Sequence, residues 1–412
     1  MTLEPCPAAR PKLPEDPAPT RTVRLANHAF PMAWRAGLWA PPDLRAETLI
    51  AAARRRTGLE DFGDPELPDR LARLTEALRE EAGLTPLGAV MSHGGLQRAL
   101  EQRLRAEAML AADSAIERRP VAPPIVVLGP MRSGTTRVQR LLACDPRFVH
   151  TRLFETLTPC PDRPAAARRR SARALQWSLD RLNPAIRAIH PGEVDDAEEE
   201  LGAMELALGG AQIEAQRPIP SWARWLETSD QSHVYRWLKR WMQLTGHVRG
   251  DDPAKPWILK TPHYLQDLPA LIDVFPDARL VFTRRDPRRI VASAASLAWA
   301  YVRVQSRAAD KTWCGREWLR KTAHRQDRAT AFRAAHTDVP QIDIDFTAMN
   351  ADWRGQMQRL YAFLDMELTP AALRRMEAYT ARAARRHLAR PHAYALAEFG
   401  LTDDEVTARL SA

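Results

Sequence analysis

The distribution of apolar positions divides the chain into two kinds of segment. Between about Pro41 and Ser114, in LRAETLIAAARRRTGL, LPDRLARLTEALREEAGL and HGGLQRALEQRLRAEAMLAADSAI, apolar residues recur at intervals of three and four, which predicts amphipathic helices. Residues 1–25 read as a proline-rich lead-in without regular structure. Residues 26–118 read as a helical extension that caps the main domain. The pattern then changes. RRPVAPPIVVLG is a proline-bounded run ending in Ile125-Val126-Val127-Leu128, short, apolar and β-branched, which predicts a buried strand. Trp257–Lys260, Arg279–Thr283 and Gln341–Phe346 predict three more. The connections are far too long for hairpins, so the expected fold is α/β: a P-loop-like parallel sheet flanked by helices, with an N-terminal helical extension.

Composition narrows the class. The 412 residues are 45% hydrophobic and 27% charged, the balance of a globular protein. No run of about 18 apolar residues predicts a membrane span, and the first twenty residues lack the basic and apolar regions of a secretory signal. Cys6, Cys144, Cys160 and Cys314 are scattered, without CxxC or metal-ligand spacing. A reducing, cytoplasmic setting without a bound metal is the expectation. The net charge of +9 is compatible with nucleic acid, an anionic membrane face or a phosphorylated small ligand. No zinc-finger, RNP or basic-zipper pattern supports nucleic acid.

The candidate chemistry begins where the first strand ends. Gly129-Pro-Met-Arg-Ser-Gly-Thr-Thr136 has the frame of a P-loop, between a buried strand and VQRLLACD at helical spacing. Such a loop turns backbone N–H groups inward, and the helix N-terminus adds partial positive charge. Arg132, Ser133, Gly134, Thr135 and Thr136 are the candidate phosphate ligands. The lysine of a nucleotide triphosphatase is missing: Thr135 stands in its place and the cation is Arg132. That favours transfer of a less charged group than a terminal phosphate, with Arg132 stabilising charge on the bridging oxygen.

A second motif, Arg285-Asp-Pro-Arg-Arg-Ile-Val-Ala-Ser293, follows the strand RLVFTR about 150 residues later. Together the two motifs resemble those of the sulfotransferase superfamily. GPMRSGTT is similar to its loop for a 5'-phosphosulfate, and the second is similar to its 3'-phosphate motif. The resemblance implies 3'-phosphoadenosine-5'-phosphosulfate (PAPS) as donor, PAP as product, no metal, and Arg285 and Ser293 on the 3'-phosphate. LLACDPRFVHTRLFETLTPCP, DDAEEELGAMELALGG, the segment around LKTPHY and the C-terminal ARPHAYALAEFGLT are similar to a bacterial branch sharing features with tyrosylprotein and carbohydrate sulfotransferases. The resemblance covers about residues 120–405. It implies a sulfotransferase domain over 119–405, with a helical acceptor-binding insertion at about 160–250.

Transfer to a hydroxyl or amine needs a base. Glu155 lies 23 residues after Arg132, where tyrosylprotein-type relatives place their catalytic glutamate. His263, at a strand end, suits base chemistry or a leaving-group contact. Lys260 suits the sulfuryl group or bridging oxygen. Glu199 lies in the run Asp195-Asp196-Ala-Glu198-Glu199-Glu200, whose acids would otherwise serve the first turn of a helix. The tryptophans and tyrosine from Trp222 to Trp241 fit core packing or an acceptor pocket. The acceptor is a small molecule, carbohydrate or lipid of no specified class, and the oligomeric state is open. Two other readings stand beside this one: an ATP-dependent small-molecule kinase on the same scaffold, and a non-catalytic PAP- or nucleic-acid-binding protein.

Overall fold

The computed structural model describes residues 19–189, 192–387 and 394–410. Residues 1–18 of the expected lead-in and 389–393 of the C-terminal stretch lie outside them. Five strands form one parallel sheet: β1 (Ile125–Leu128), β2 (Val149–His150), β3 (Trp257–Lys260), β4 (Arg279–Arg284) and β5 (Gln341–Asp345). Their order is β2-β3-β1-β4-β5. The central strand pairs on both edges, with Val126 opposite Leu259 of β3 and Leu280 of β4. The chain therefore leaves β1 toward one side of the sheet and returns later to the other. Ligand crevices form at such switch points, outside the carboxyl ends of the strands.

Alternation along β1 explains why it is apolar throughout. Ile125 and Val127 face a core shared with the helices Thr135–Leu142 and Trp353–Phe363, while Val126 and Leu128 face the core under Ser232–Arg249 and Leu268–Val274. All four are buried, and each stabilises the fold by about 1.5–3 kcal/mol. The two-residue strand β2 was not legible in the sequence because it spans only a single period of alternation.

The helical extension forms as expected over Ala46–Thr57, Leu67–Glu80 and Pro86–Ala112. A further helix, Arg21–Arg35, starts inside the stretch read as irregular; Thr20 caps it by accepting from the Val23 N–H at 3.2 Å. The extension is sewn into the rest of the chain. Thr85 Oγ1 donates to Val304 O, Ser306 Oγ donates to Ala82 O, and backbone N–H groups of Thr85 and Arg307 donate to Gln305 O and Gly83 O. A Cβ on Gly88 would sit 2.0 Å from Gln305 O, so only glycine allows this approach. Trp222, Tyr235, Trp237 and Trp241 are buried core, and the indole N–H groups of Trp237 and Trp241 donate to Ala203 O and Pro159 O.

Candidate active site

The loop after β1 is shaped by two residues with positive φ. Gly134 has φ +100°, and Arg132, with φ +70°, holds a conformation that strains a residue with a side chain by about 1–2 kcal/mol. Gly129 and Gly134 are also sterically required. A Cβ on the first would lie 2.2 Å from Thr283 Oγ1, and one on the second 2.7 Å from the Phe346 ring. Ser133 Oγ contacts Thr283 Oγ1 of β4 at 2.5 Å and donates to Pro130 O, fixing the turn. Thr135 opens the helix Thr135–Leu142, so its dipole points at the loop.

The two motifs seen in the sequence meet here. Arg132 Nε donates to Ser293 Oγ at 3.0 Å, and Arg285 Nη1 donates to the Arg132 carbonyl at 2.8 Å. The Arg285 guanidinium lies over Phe346, 4.2 Å from the ring centre. Burial holds Arg132 below the usual guanidinium value, and the neighbouring Arg285 pushes the same way. The guanidiniums of Arg132 and Arg285 thus lie close together beside the buried hydroxyl of Ser293, an arrangement chemically suited to an anion. A cavity of about 340 Å³ adjoins it, between Gly129, Pro130, Thr283 and Arg285 on one side and Thr322 and Gln326 of helix Lys311–Ala335 on the other.

Lys260 enters from the end of β3. It is fully buried, and Nζ donates to Glu199 Oε1 at 2.6 Å and to Thr136 Oγ1 at 3.3 Å, with Glu198 Oε1 at 3.8 Å. A lysine thus reaches the loop from another strand, although the loop itself has none. The acidic run does not form a first helical turn; the helix starts after it, at Leu201. Its members are distributed among cations instead. Asp195 pairs with Arg169, Asp196 and Glu198 approach Arg140, and Glu199 pairs with Lys260. Glu200 is completely buried, and its Oε2 accepts from the Lys260 backbone N–H and the Tyr264 hydroxyl, both at 2.9 Å. Burial raises its pKa to about 8. The Tyr301 hydroxyl, near Glu198 and Glu199, is pushed above its ordinary value by burial and then by these two carboxylates.

Two sequence candidates sit elsewhere. Glu155 is buried at the start of helix Leu153–Leu157; its carboxylate accepts from the Arg152 N–H and from Arg249, not from any residue of the loop. His263 is fully buried in the turn Pro262–Leu265, with Nε2 2.8 Å from Asp267 Oδ2. Neither ring nitrogen has an aligned hydrogen bond among the described residues. Arg132, Ser133, Gly134, Thr135, Thr136, Lys260, Glu199, Arg285 and Ser293 are therefore gathered around one loop, and Glu155 and His263 are turned to other partners. Sequence reasoning missed Thr283, Phe346 and Glu200. Phe346 carried a usable signal, an aromatic immediately after a strand.

A parallel α/β sheet with this loop at its switch point, without the lysine of the triphosphatases, is a nucleotide-binding class of fold. The chain belongs to the sulfotransferase family, whose model matches residues 123–370. It is similar in structure to sulfotransferase STF1 from Mycobacterium tuberculosis H37Rv, at 29% identity and a TM-score of 0.74 over 89% of this chain and 98% of that one. It is also similar to sulfotransferase STF9 from Mycobacterium avium, at 25% identity and a TM-score of 0.77, over 90% and 95% of the two chains. No curated protein matches the chain by sequence. Residues 119–412 are only about seven-tenths of the chain, so a likeness covering 89% reaches into the N-terminal helices, which the motif resemblance had left out.

Proposed function

We propose that the protein transfers the sulfuryl group of PAPS to a hydroxyl or amine of a small-molecule, carbohydrate or lipid acceptor. The loop amides with Ser133, Thr135 and Thr136 hold the 5'-phosphosulfate, and Arg285 and Ser293 hold the 3'-phosphate. The observation that carries this reading is the contact between the two motifs, Arg132 to Ser293 and Arg285 to Arg132. It brings the cations of the two motifs side by side at one strand switch point, as a donor with two phosphate groups would need.

In the reaction the acceptor oxygen forms a bond to sulfur while the bond from sulfur to the bridging phosphate oxygen breaks. Charge builds on that bridging oxygen, where Arg132 and Lys260 stabilise it. The acceptor proton passes to a carboxylate, and the geometry favours Glu199. It is partly exposed, adjoins the loop through Lys260 and Thr136, and contacts the lysine Nζ through Oε1 at 2.6 Å. Glu155 is less suited, because Arg249 and the Arg152 N–H already occupy both its oxygens. The test is transfer of label from sulfur-labelled PAPS to a fractionated extract of the source cells. Labelled acceptor that requires Arg132 supports the reading. Turnover of ATP with no transfer from PAPS would replace it with phosphoryl transfer.

A further inference from the structure

The large apolar side chains exposed to solvent are not scattered. Among the described residues Leu25, Met32, Leu38, Trp39, Trp177 and Val248 stand out, and all but Val248 belong to two neighbouring helices and the turn after the first. Leu38 is 79% exposed and Leu25 68%, far beyond what packing requires. These helices, Arg21–Arg35 and Ala165–Leu182, are joined where Thr20 Oγ1 donates to Leu182 O and where Leu182 packs in the same cluster as Phe30.

Helix Arg21–Arg35 has one broad apolar face, of which only part is covered. Val23, Ala26 and Phe30 point inward against Leu87, Met91 and Val304. Leu25, Ala29 and Met32 follow at spacings of four and three and carry that face further around the helix, and all three are exposed. On a helical projection Arg21, Arg24 and Arg35 run along one edge of that outer stripe, also exposed. On the second helix Arg170, Arg173, Trp177 and Arg181 share one exposed face at helical spacing, with the Arg181 guanidinium 4.7 Å from the Trp177 ring centre. The first helix contains no acidic residue and the second only Asp180.

We propose that these two outer faces form a docking surface for an anionic lipid bilayer. An apolar stripe flanked by arginines, with tryptophans at its margins, matches the boundary between headgroups and acyl chains. Leucine, methionine and indole enter the acyl edge while the guanidiniums meet lipid phosphates, each basic residue strengthening the attraction to an anionic surface. Nucleic acid would use the arginines but leave Leu25, Met32 and Leu38 in water. A second copy would bring like-charged arginines together. The proposal concerns where the protein sits and does not depend on PAPS being the donor.

The test is co-sedimentation of the full chain with extruded vesicles, either pure phosphatidylcholine or the same lipid with about 30 mol % phosphatidylglycerol, at about 0.1 M and about 0.5 M salt. Binding to the anionic vesicles is expected, at least about tenfold stronger than to the neutral ones and weakened at the higher salt. The pair Leu25→Glu and Met32→Glu, and separately Arg170→Glu with Arg173→Glu, should each lower the bound fraction about tenfold, with the circular dichroism and PAP affinity unchanged. Because the arginine variants alter only exposed positions, they keep the test valid if the first pair disturbs folding. Equal binding to both vesicle types, no binding, or variants that bind like the wild type would overturn the proposal. So would self-association in the absence of lipid that the same substitutions abolish, which would assign the face to a second copy.

Discussion

Glu155 and Arg249 form a doubly contacted ion pair in the interior: Arg249 Nε donates to Oε1 at 2.9 Å and Nη2 donates to Oε2. The backbone N–H of Arg152 donates to the same carboxylate at 2.9 Å. Leaving one member of such a pair without its partner costs about 3–5 kcal/mol. Glu155→Gln is therefore expected to lower the midpoint of denaturant unfolding, with turnover per folded molecule reduced by less than about tenfold. A rate loss of 10²–10⁴-fold at an unchanged midpoint would return the proton-accepting role to Glu155.

Glu199 and Lys260 give the opposite expectation. Glu199→Gln keeps the shape of the side chain and removes its basicity. Single-turnover transfer from labelled PAPS should slow by about 10²–10⁴-fold while donor affinity changes little. Lys260→Ala should also act mainly on the rate of transfer. If Glu199→Gln turns over like the wild type, the base lies elsewhere, and His263→Ala, with its pH–rate profile, is the next measurement.

The 3'-phosphate should be the main determinant of nucleotide selectivity. Calorimetry on the wild type is expected to give tighter binding of PAP than of AMP by about ten- to a hundredfold, the value of one or more charge-assisted contacts. Arg285→Ala should erase most of that difference and leave AMP binding nearly unchanged. Equal wild-type affinities for the two nucleotides would remove Arg285 and Ser293 from the 3'-phosphate.

Glu200 makes stability depend on pH. Its pKa is about 8 in the folded protein against 4.5 in the unfolded chain, chiefly through burial. The folded state therefore holds the proton across this window while the unfolded state releases it, and stability falls as pH rises from about 4.5 to about 8. The penalty is at most on the order of 4–5 kcal/mol. Glu200→Gln mimics the protonated form and keeps an oxygen for the Lys260 and Tyr264 donors. It should match the wild type near pH 5 and exceed it in thermal midpoint at pH 8 and above. Parallel pH profiles for the two proteins would contradict this.

The sheet was legible where burial on both faces left an apolar signature, in Ile125–Leu128 and in Trp257–Lys260. The loop was legible because glycine is the only residue that tolerates the approach of Thr283 and Phe346, so the spacing of Gly129 and Gly134 is written in the chain. Charge partners were not legible. Nothing in the spacing of Glu155 announces Arg249, 94 positions away, and the acids from Asp195 to Glu200 read alike until their separate cations are known. The helix Arg21–Arg35 was hidden by its interior Pro31, which reads as a helix breaker, and by its place against the proline-rich start of the chain.

The seam between Ala82–Gly88 and Val304–Arg307 has a consequence for biosynthesis. Thr85 and its acceptor Val304 are 219 positions apart, and a ribosome adds roughly 5–20 residues per second. The face carrying Gly88 is therefore made roughly 10–40 s before the backbone that covers it. During that interval the N-terminal helices can form locally but cannot close their seam. The extension is synthesised ahead of the sheet, and its packing is completed only after β4 and the helix behind it have emerged.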